Sequence, residues 1–257
     1  IEKFNIYTYV SDIVLVLYPY MFLPDMVRID EYPDQKEYSL GSDPSNYATA
    51  HFAYWGQMDK SRNPRNQSCV VSGESGAGKT VTVSFMMKYL AKLSDWRKLE
   101  QGEEIGGDAD VTSLVAGVSP FLEAFGNAST TRNRNSSRFG KFIKILFNKG
   151  RIVGARMEDY LLEKARVTSQ LKGNRNYHIF YYLVRGASES LAEELGLRRH
   201  VGVYHYLNSS SNERTHSSPT TIENDADKFR NMCRCLSIAD VCEEEQHALW
   251  KVLSGIL

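Results

Sequence analysis

An α/β fold, with a mixed central sheet flanked by helices, is predicted by three features of the sequence. Val70-Val71-Ser72-Gly73-Glu74-Ser75-Gly76-Ala77-Gly78-Lys79-Thr80 reads as a short buried strand that runs through a glycine-rich loop into a helix. Lys141 to Tyr160 reads as two strands alternating about the turn Asn148-Lys149-Gly150. Around both, apolar residues recur at helical spacing in several separate stretches.

The first feature carries chemistry. Gly73, Gly78, Lys79 and Thr80 fit G-x-x-x-x-G-K-[ST] without a mismatch. Glycines permit positive φ and a close backbone approach, so the amides of Gly73, Glu74, Ser75, Gly76, Ala77 and Gly78 can converge on phosphate oxygens. The helix opening at Lys79 adds the positive end of its dipole. Lys79 can reach β and γ phosphates, and the Thr80 hydroxyl suits the Mg²⁺ that accompanies them. The fold class is therefore of the P-loop NTPase type, with a nucleoside triphosphate as ligand.

Composition bounds the rest. A chain of 257 residues holds one large domain or two small ones. Its 31 Lys and Arg balance 31 Asp and Glu, which gives no hint of nucleic acid or an anionic membrane as partner. The aliphatic run Ile13–Leu17 is too short to span a bilayer, and no secretory signal opens the chain. It begins without Met and in strand-like sequence, so a piece of something longer is expected. Cys69, Cys233, Cys235 and Cys242 lack zinc-knuckle spacing and read as buried or half-buried thiols in a reducing cytosol.

In chain order, Ile6 to Leu17 reads as a strand with its turn. Tyr18-Pro19-Tyr20-Met21-Phe22-Leu23-Pro24 is a stiff apolar connector, and 30–44 is polar and turn-rich. Tyr47, Ala50, Tyr54, Trp55 and Met58 mark a helix, on which His51 reads as a partly exposed residue. Asn63-Pro64-Arg65-Asn66 is a turn. After Thr80 a helical face runs through Val81, Phe85, Tyr89, Leu90 and Leu93, and 94–110 then breaks into an acidic surface loop. Leu114 to Phe125 is a helix stopped at Gly126-Asn127. Tyr160 to Gln170 is amphipathic and charged. Helices follow over Asn176–Gly186, Ser188–Leu195, Asp225–Leu236 and Glu243–Leu257, with a polar surface loop from Asn208 to Thr221. His178, His205, His216 and His247 share no spacing, and each reads as structural.

A second informative block is Asn127-Ala128-Ser129-Thr130-Thr131-Arg132-Asn133-Arg134-Asn135-Ser136-Ser137-Arg138-Phe139-Gly140, delivered straight into a strand. Asn, Ser and Arg at this density suit a second clamp on a triphosphate and its Mg²⁺. A plain lead-in to the hairpin would need no more than a polar loop, so chemistry alone leaves both readings open.

Gly73–Thr80 and Asn133-Arg-Asn-Ser-Ser-Arg-Phe-Gly-Lys-Phe142 resemble the P-loop and switch I of myosin motor domains. Ile6–Tyr9, Asn66–Ser68, Phe121–Ala128, Tyr160–Arg166, Tyr177–Tyr181 and Leu253–Leu257 agree, so the resemblance runs the length of the chain. It implies ATP hydrolysis with Mg²⁺, movement on actin filaments, a cytoplasmic, cytoskeletal setting, and light chains or calmodulin as partners of the full protein. Carried over, Lys79 holds the β and γ phosphates, Thr80 and Ser137 ligate the metal, and Asn133 touches the phosphates. Ser75 and Ser136 sit beside the attacking water, Ser136 as proton relay, and Arg138 pairs with a switch II glutamate. The same comparison divides the chain into 1–93 (purine loop, P-loop and its helix), 94–110 (loop 1) and 111–257 (switch I, transducer hairpin and upper 50 kDa helices).

Departures accompany it. Tyr18-Pro19 stands where the family's purine loop has Asn-Pro, Met26 replaces a usual Tyr, and Val81-Thr82 follows Lys79-Thr80 in place of Glu-Asn. Switch II, the relay helix, the converter, IQ motifs and most of the actin-binding surface have no counterpart, so the expected object is an incomplete motor domain that binds ATP without turnover by itself. A kinesin shares N-x-x-S-S-R, but Phe139-Gly140-Lys141 follows here, and soon after Lys79. The remaining alternative is a myosin-like nucleotide-binding or interaction protein that does not turn over.

Overall fold

The computed structural model describes residues 6–19, 44–58, 65–102, 111–208 and 219–257. The expectations for Tyr20–Pro24, Met26, 30–43, Asn63-Pro64, His216 and the acidic stretch 103–110 lie outside them. Two compact units divide the chain: 1–112 with 144–156, and 113–143 with 157–257.

The first unit opens with strands β1 (Tyr7–Val10) and β2 (Ile13–Val16), paired antiparallel with Tyr7 opposite Val16. The expected single strand is thus a hairpin, turned at Ser11, whose φ of 55° admits the tight reversal. Helices α1 (Asn46–Met58) and α2 (Lys79–Glu100) pack through Tyr47, Ala50, Tyr54, Met86, Tyr89 and Leu93. His51 is not partly exposed: it is 1% accessible, and its Nδ1 lies 2.8 Å from the Tyr89 hydroxyl. A polar group is admitted to this core because a hydroxyl on the facing helix partners it.

Helix α2 also outlasts the expected break at Ser94 and runs on to Glu100. Tertiary partners override the weakening apolar pattern. The Ser94 hydroxyl accepts from the Ile152 amide at 2.9 Å, and the Arg97 guanidinium sits 4.8 Å over the Trp55 ring. Arg97 also pairs with Glu100 at 2.6 Å and donates to the Tyr54 hydroxyl, which in turn donates to the Gly150 carbonyl. Gly150 belongs to the turn between β5 (Gly140–Asn148) and β6 (Arg151–Tyr160), the expected hairpin. Lys149 and Gly150 both have positive φ, 51° and 84°, as a two-residue type I′ turn requires. Ile143, Ile145 and Phe147 alternate with more exposed neighbours, as predicted.

In the second unit, α3 (Val111–Gly126) leads into the short strands β3 (Asn127–Ala128) and β4 (Ser136–Ser137), which pair antiparallel. Its core is α4 (His178–Gly186), buried on every side from His178 to Val184. Around it lie α5 (Glu189–Glu194), α6 (Pro219–Ile238) and α7 (Glu243–Ile256), with Leu183, Met232, Leu236 and Trp250 in one apolar cluster. Ser188 caps α5 by accepting the Leu191 amide. The predicted loop ends earlier than Thr221, because Pro219 already opens α6 with the fixed φ and absent N–H that suit a first turn. Asp225 accepts from Arg175 at 2.8 Å and Arg185 at 2.5 Å, and all three are nearly dry.

The described strands form three two-stranded sheets, so a continuous central sheet is not among the described residues. The short strand expected to be buried at Val70-Val71-Ser72 has no strand neighbour there, and Val70 is 89% exposed. A strand is held by its ladder, and none of the described strands offers one to this segment. Of the cysteines, Cys235 is buried and Cys233 half-buried, but Cys69 and Cys242 are exposed. No described helix is long and apolar enough to cross a membrane.

Two predictions follow from packing and burial. A Cβ on Gly186 would stand 2.4 Å from the Phe229 Cβ, whereas one on Gly255 would meet nothing within 4 Å among the described residues. Gly186→Ala should therefore lower stability by about 1–3 kcal/mol, and Gly255→Ala, inside α7, should raise it by about 0.5–1 kcal/mol. Urea denaturation of the two variants reads the opposite signs. Second, burial, with Arg175 and Lys228 nearby, pulls the His178 pKa down to about 3. The folded chain stays neutral at His178 while the unfolded chain takes a proton below about pH 6.5, so stability drains as pH falls. Between about pH 6 and pH 4 the wild type should lose up to about 1.4 kcal/mol per pH unit more than His178→Gln.

Candidate phosphate site and its second loop

The glycine-rich loop has the backbone its sequence requires. Gly76 and Gly78 take φ of 88° and 87°, values at which a β-carbon is strained. Gly78 is the left-handed N-cap of α2 and offers no capping side chain, so among the described residues no side-chain cap competes with an outside acceptor at the start of this 22-residue helix. The Ala77 amide closes on the Glu74 carbonyl at 3.2 Å and the Thr82 amide on the Gly78 carbonyl at 2.9 Å. Lys79 Nζ donates to the Gly73 and Glu74 carbonyls at 2.6 and 2.8 Å, which holds the ammonium at the open edge of the loop. Phosphate oxygens are stronger, charged acceptors for the same donor. Ser75 and Thr80 are exposed on either side of it. A triphosphate fits this donor set.

Tyr18 lies against this loop. A Cβ built on Gly78 would meet its Cδ2 at 2.6 Å, so the ring takes the space a side chain would need. Gly78 is thus required twice, for its φ and for the close approach of Tyr18.

The second loop is organised by side chains. The Thr130 amide donates to the Asn133 carbonyl at 2.9 Å, and the Asn133 amide returns to the Thr130 hydroxyl at 3.1 Å. The Asn135 amide donates to Asn133 Oδ1 at 2.9 Å. Ser136 is buried to 1% exposure, Ser137 beside it is exposed, and both pair with β3. The structure brings Asn133, Ser136, Ser137 and Arg138 into one loop of the second unit, and Gly73 to Thr80 into one loop of the first.

Arg138 is already engaged. Its Nε donates to Glu163 at 2.5 Å and its Nη1 to the Ser136 hydroxyl at 3.2 Å. The partner here is Glu163, where the resemblance implies a switch II glutamate. Arg166, 3% exposed, grips the same carboxylate at 2.8 and 3.3 Å, and the Tyr177 hydroxyl donates to the Glu163 carbonyl at 2.8 Å. Burial works against the Glu163 charge, but the hydrogen bonds from Arg138 and Arg166 outweigh it and hold the carboxyl below its usual range.

Sequence reasoning assigned Glu163 and His178 no part in this loop. Glu163 falls inside Tyr160–Gln170, which reads as amphipathic and charged, and inside Tyr160–Arg166, which shares the family resemblance without giving Glu163 a role. His178 Nε2 lies 3.2 Å from Asn135 Oδ1, a contact between residues far apart in the chain. No local spacing signals either one. Among the described residues, no group of three or more His, Cys, Asp or Glu gathers as a metal site. A hard cation held by hydroxyls and phosphate oxygens needs none.

Comparison with known proteins agrees with the geometry. The family model for the myosin head (motor domain) matches residues 1–257. The Myosin-J heavy chain of Dictyostelium discoideum is 37% identical over 279 residues, covering 98% of this chain and 12% of its own length. Unconventional myosin-Vb of Mus musculus is 39% identical over 263 residues, with 100% of this chain and 13% of the relative covered. Unconventional myosin-VI of Mus musculus is 37% identical over 279 residues, with 100% and 21% covered. The chain thus spans only a small part of the relatives it matches. It belongs to the myosin motor-domain family.

Proposed function

We propose that the protein carrying this chain is an actin-activated ATPase of the cytoskeleton, a motor that couples hydrolysis of Mg-ATP to movement on actin filaments. The observation that carries this reading is the loop from Gly73 to Thr80, with left-handed Gly78 and Lys79 at the uncapped start of α2. Family membership supplies actin as the partner. Light chains or calmodulin, and a cytoplasmic setting, belong to the same proposal. In this reading 1–93 holds the purine loop and P-loop, 94–110 is loop 1, and 111–257 carries switch I, the transducer hairpin and the upper 50 kDa helices.

The residues then divide the work. The amides of Gly73, Glu74, Ser75, Gly76, Ala77 and Gly78 hold the phosphates, and Lys79 offsets their charge. Thr80 and Ser137 offer hydroxyls to Mg²⁺. When bound, the metal would neutralise phosphate charge. Asn133 contacts the phosphates from the second loop. Ser75 and Ser136 orient the attacking water, and Ser136, with Arg138 donating to its hydroxyl, takes the water's proton as it gives its own to a γ-phosphate oxygen. Nothing in this set is a strong base, and phosphoryl transfer relies on positioning and charge stabilisation.

Lys79→Ala removes charge-assisted hydrogen bonds and should weaken ATP binding by about a hundredfold. Titration of the intact protein with a fluorescent ATP analogue measures this, and unchanged affinity overturns the proposal. Tyr18 stands where the family's purine loop offers a carboxamide, and its ring is spent on Gly78. Discrimination of ATP over GTP should therefore stay within about tenfold, and Tyr18→Asn should widen it. Competition of the two nucleotides against the same analogue decides; a wide margin in the wild type refutes it.

A further inference from the structure

Asn135 is the knot of the second loop. Glu123 Oε2, an acceptor only, lies 3.0 Å from its Nδ2, which fixes the orientation of the carboxamide. Oδ1 therefore faces the Asn127 Nδ2 donor at 3.0 Å and His178 Nε2 at 3.2 Å. An oxygen cannot donate, so His178 must carry its proton on Nε2. Its other nitrogen, Nδ1, is buried and has no hydrogen-bond partner among the described residues, which an unprotonated nitrogen tolerates better than an N–H would. The ring stacks on Tyr182 with an interplanar angle of 2° and 5.5 Å between centroids, so its direction is fixed from inside the core. A residue needed only for packing there would carry no donor. His178 instead spends its single N–H on the loop.

We infer that His178 is a positioning residue for the loop bearing Asn133, Ser136 and Ser137, acting through Asn135 from the buried helix α4. The link runs outward in two directions. The Asn135 amide holds Asn133 Oδ1, which sets the orientation of the Asn133 carboxamide, and Ser136 follows directly as the first residue of β4. Asn135 itself is exposed, so without α3, β3 and α4 gripping its carboxamide water would compete for every one of these bonds. The near-complete suppression of His178 protonation is consistent with the neutral tautomer this geometry needs. The inference rests on the reading of this loop as part of a nucleotide site, but its structural half can be tested without nucleotide.

The test uses the intact protein with His178→Phe, which keeps the stacking ring and deletes the donor, and His178→Gln, which restores an amide donor. Hydrogen exchange in the nucleotide-free protein should quicken by about tenfold or more over 128–138 in His178→Phe, while 179–186 stays protected. Steady-state kcat for ATP should fall by about tenfold, with a smaller change in KM, and His178→Gln should recover both within about threefold. Unchanged loop exchange with α4 still protected overturns the inference. So does a Gln variant as impaired as Phe while α4 remains protected. If α4 loses protection in the Phe variant, Asn135→Leu removes the acceptor from the opposite side and must reproduce the faster loop exchange; if it does not, the inference falls. A wild type that neither binds nor hydrolyses ATP refutes the proposed function instead, and leaves the exchange experiment to decide the role of His178.

Discussion

The second unit depends on a helix without a solvent face. Every side chain from His178 to Val184 in α4 is buried, so a polar atom it carries is costly unless it finds a partner inside the protein, and the unprotonated His178 Nδ1 is the exception among the described residues. That demand reaches outward. Tyr181 accepts from the Asn176 amide at 3.2 Å, and Arg175 lies 3.7 Å over its ring. Arg175 and Arg185 share Asp225 from α6, one carboxylate between two guanidinium groups in a nearly dry interface. Removing Asp225 would leave two buried cations, a far larger cost than the loss of one ion pair. The register of α4 on α6 is therefore held by charge as well as by the tight seat of Gly186 on Phe229.

The same demand links the core to the loop that bears the candidate chemistry. Arg166 is almost fully buried, and its guanidinium is satisfied by Glu163 and by the Arg175 carbonyl at 2.9 Å. Glu163, gripped from behind, presents its remaining lone pairs to Arg138, which in turn reaches Ser136. His178 reaches Asn135 differently: the core fixes its ring by stacking on Tyr182, and its Nε2 lies 3.2 Å from the Asn135 carboxamide oxygen. Two buried side chains, one held by hydrogen bonds and one by stacking, thus touch two points of one surface loop.

Which parts of this were legible in the sequence follows from where each constraint resides. The glycine loop was legible because its requirements are local: positive φ at Gly76 and Gly78 and a lysine at a fixed offset. The β5–β6 hairpin was legible for the same reason, through alternation and a Lys149-Gly150 turn. The mixture of helix and strand was readable, and family membership with it, but the strand at Val70-Val71 was not secured by its own residues, since a ladder needs neighbours. His51 and Ser94 were misplaced because their environments come from Tyr89 and Ile152, distant in sequence. Glu163 and His178 were passed over for that reason too. Burial of a polar residue is decided by its partner, and the partner is invisible to spacing.

The two loops consequently carry their chemistry in different parts of the chain, and tolerate change differently. In the proposed site the loop at Gly73–Thr80 would bind mostly through backbone amides, so side chains can vary wherever φ and the approach of Tyr18 allow. Its weak points are Gly78 and Lys79. In the loop at 127–138 the working groups are side chains on a backbone with little regular structure, and their aim is set by residues one layer further in. Substitution of Asn127, Glu163, Arg166 or His178, none of them in the motif itself, disturbs that aim as surely as substitution of Ser136. A motif search over Asn133–Arg138 therefore captures the groups that would meet a nucleotide but not the residues one layer further in, Glu163, Arg166 and His178, that hydrogen-bond or back the loop.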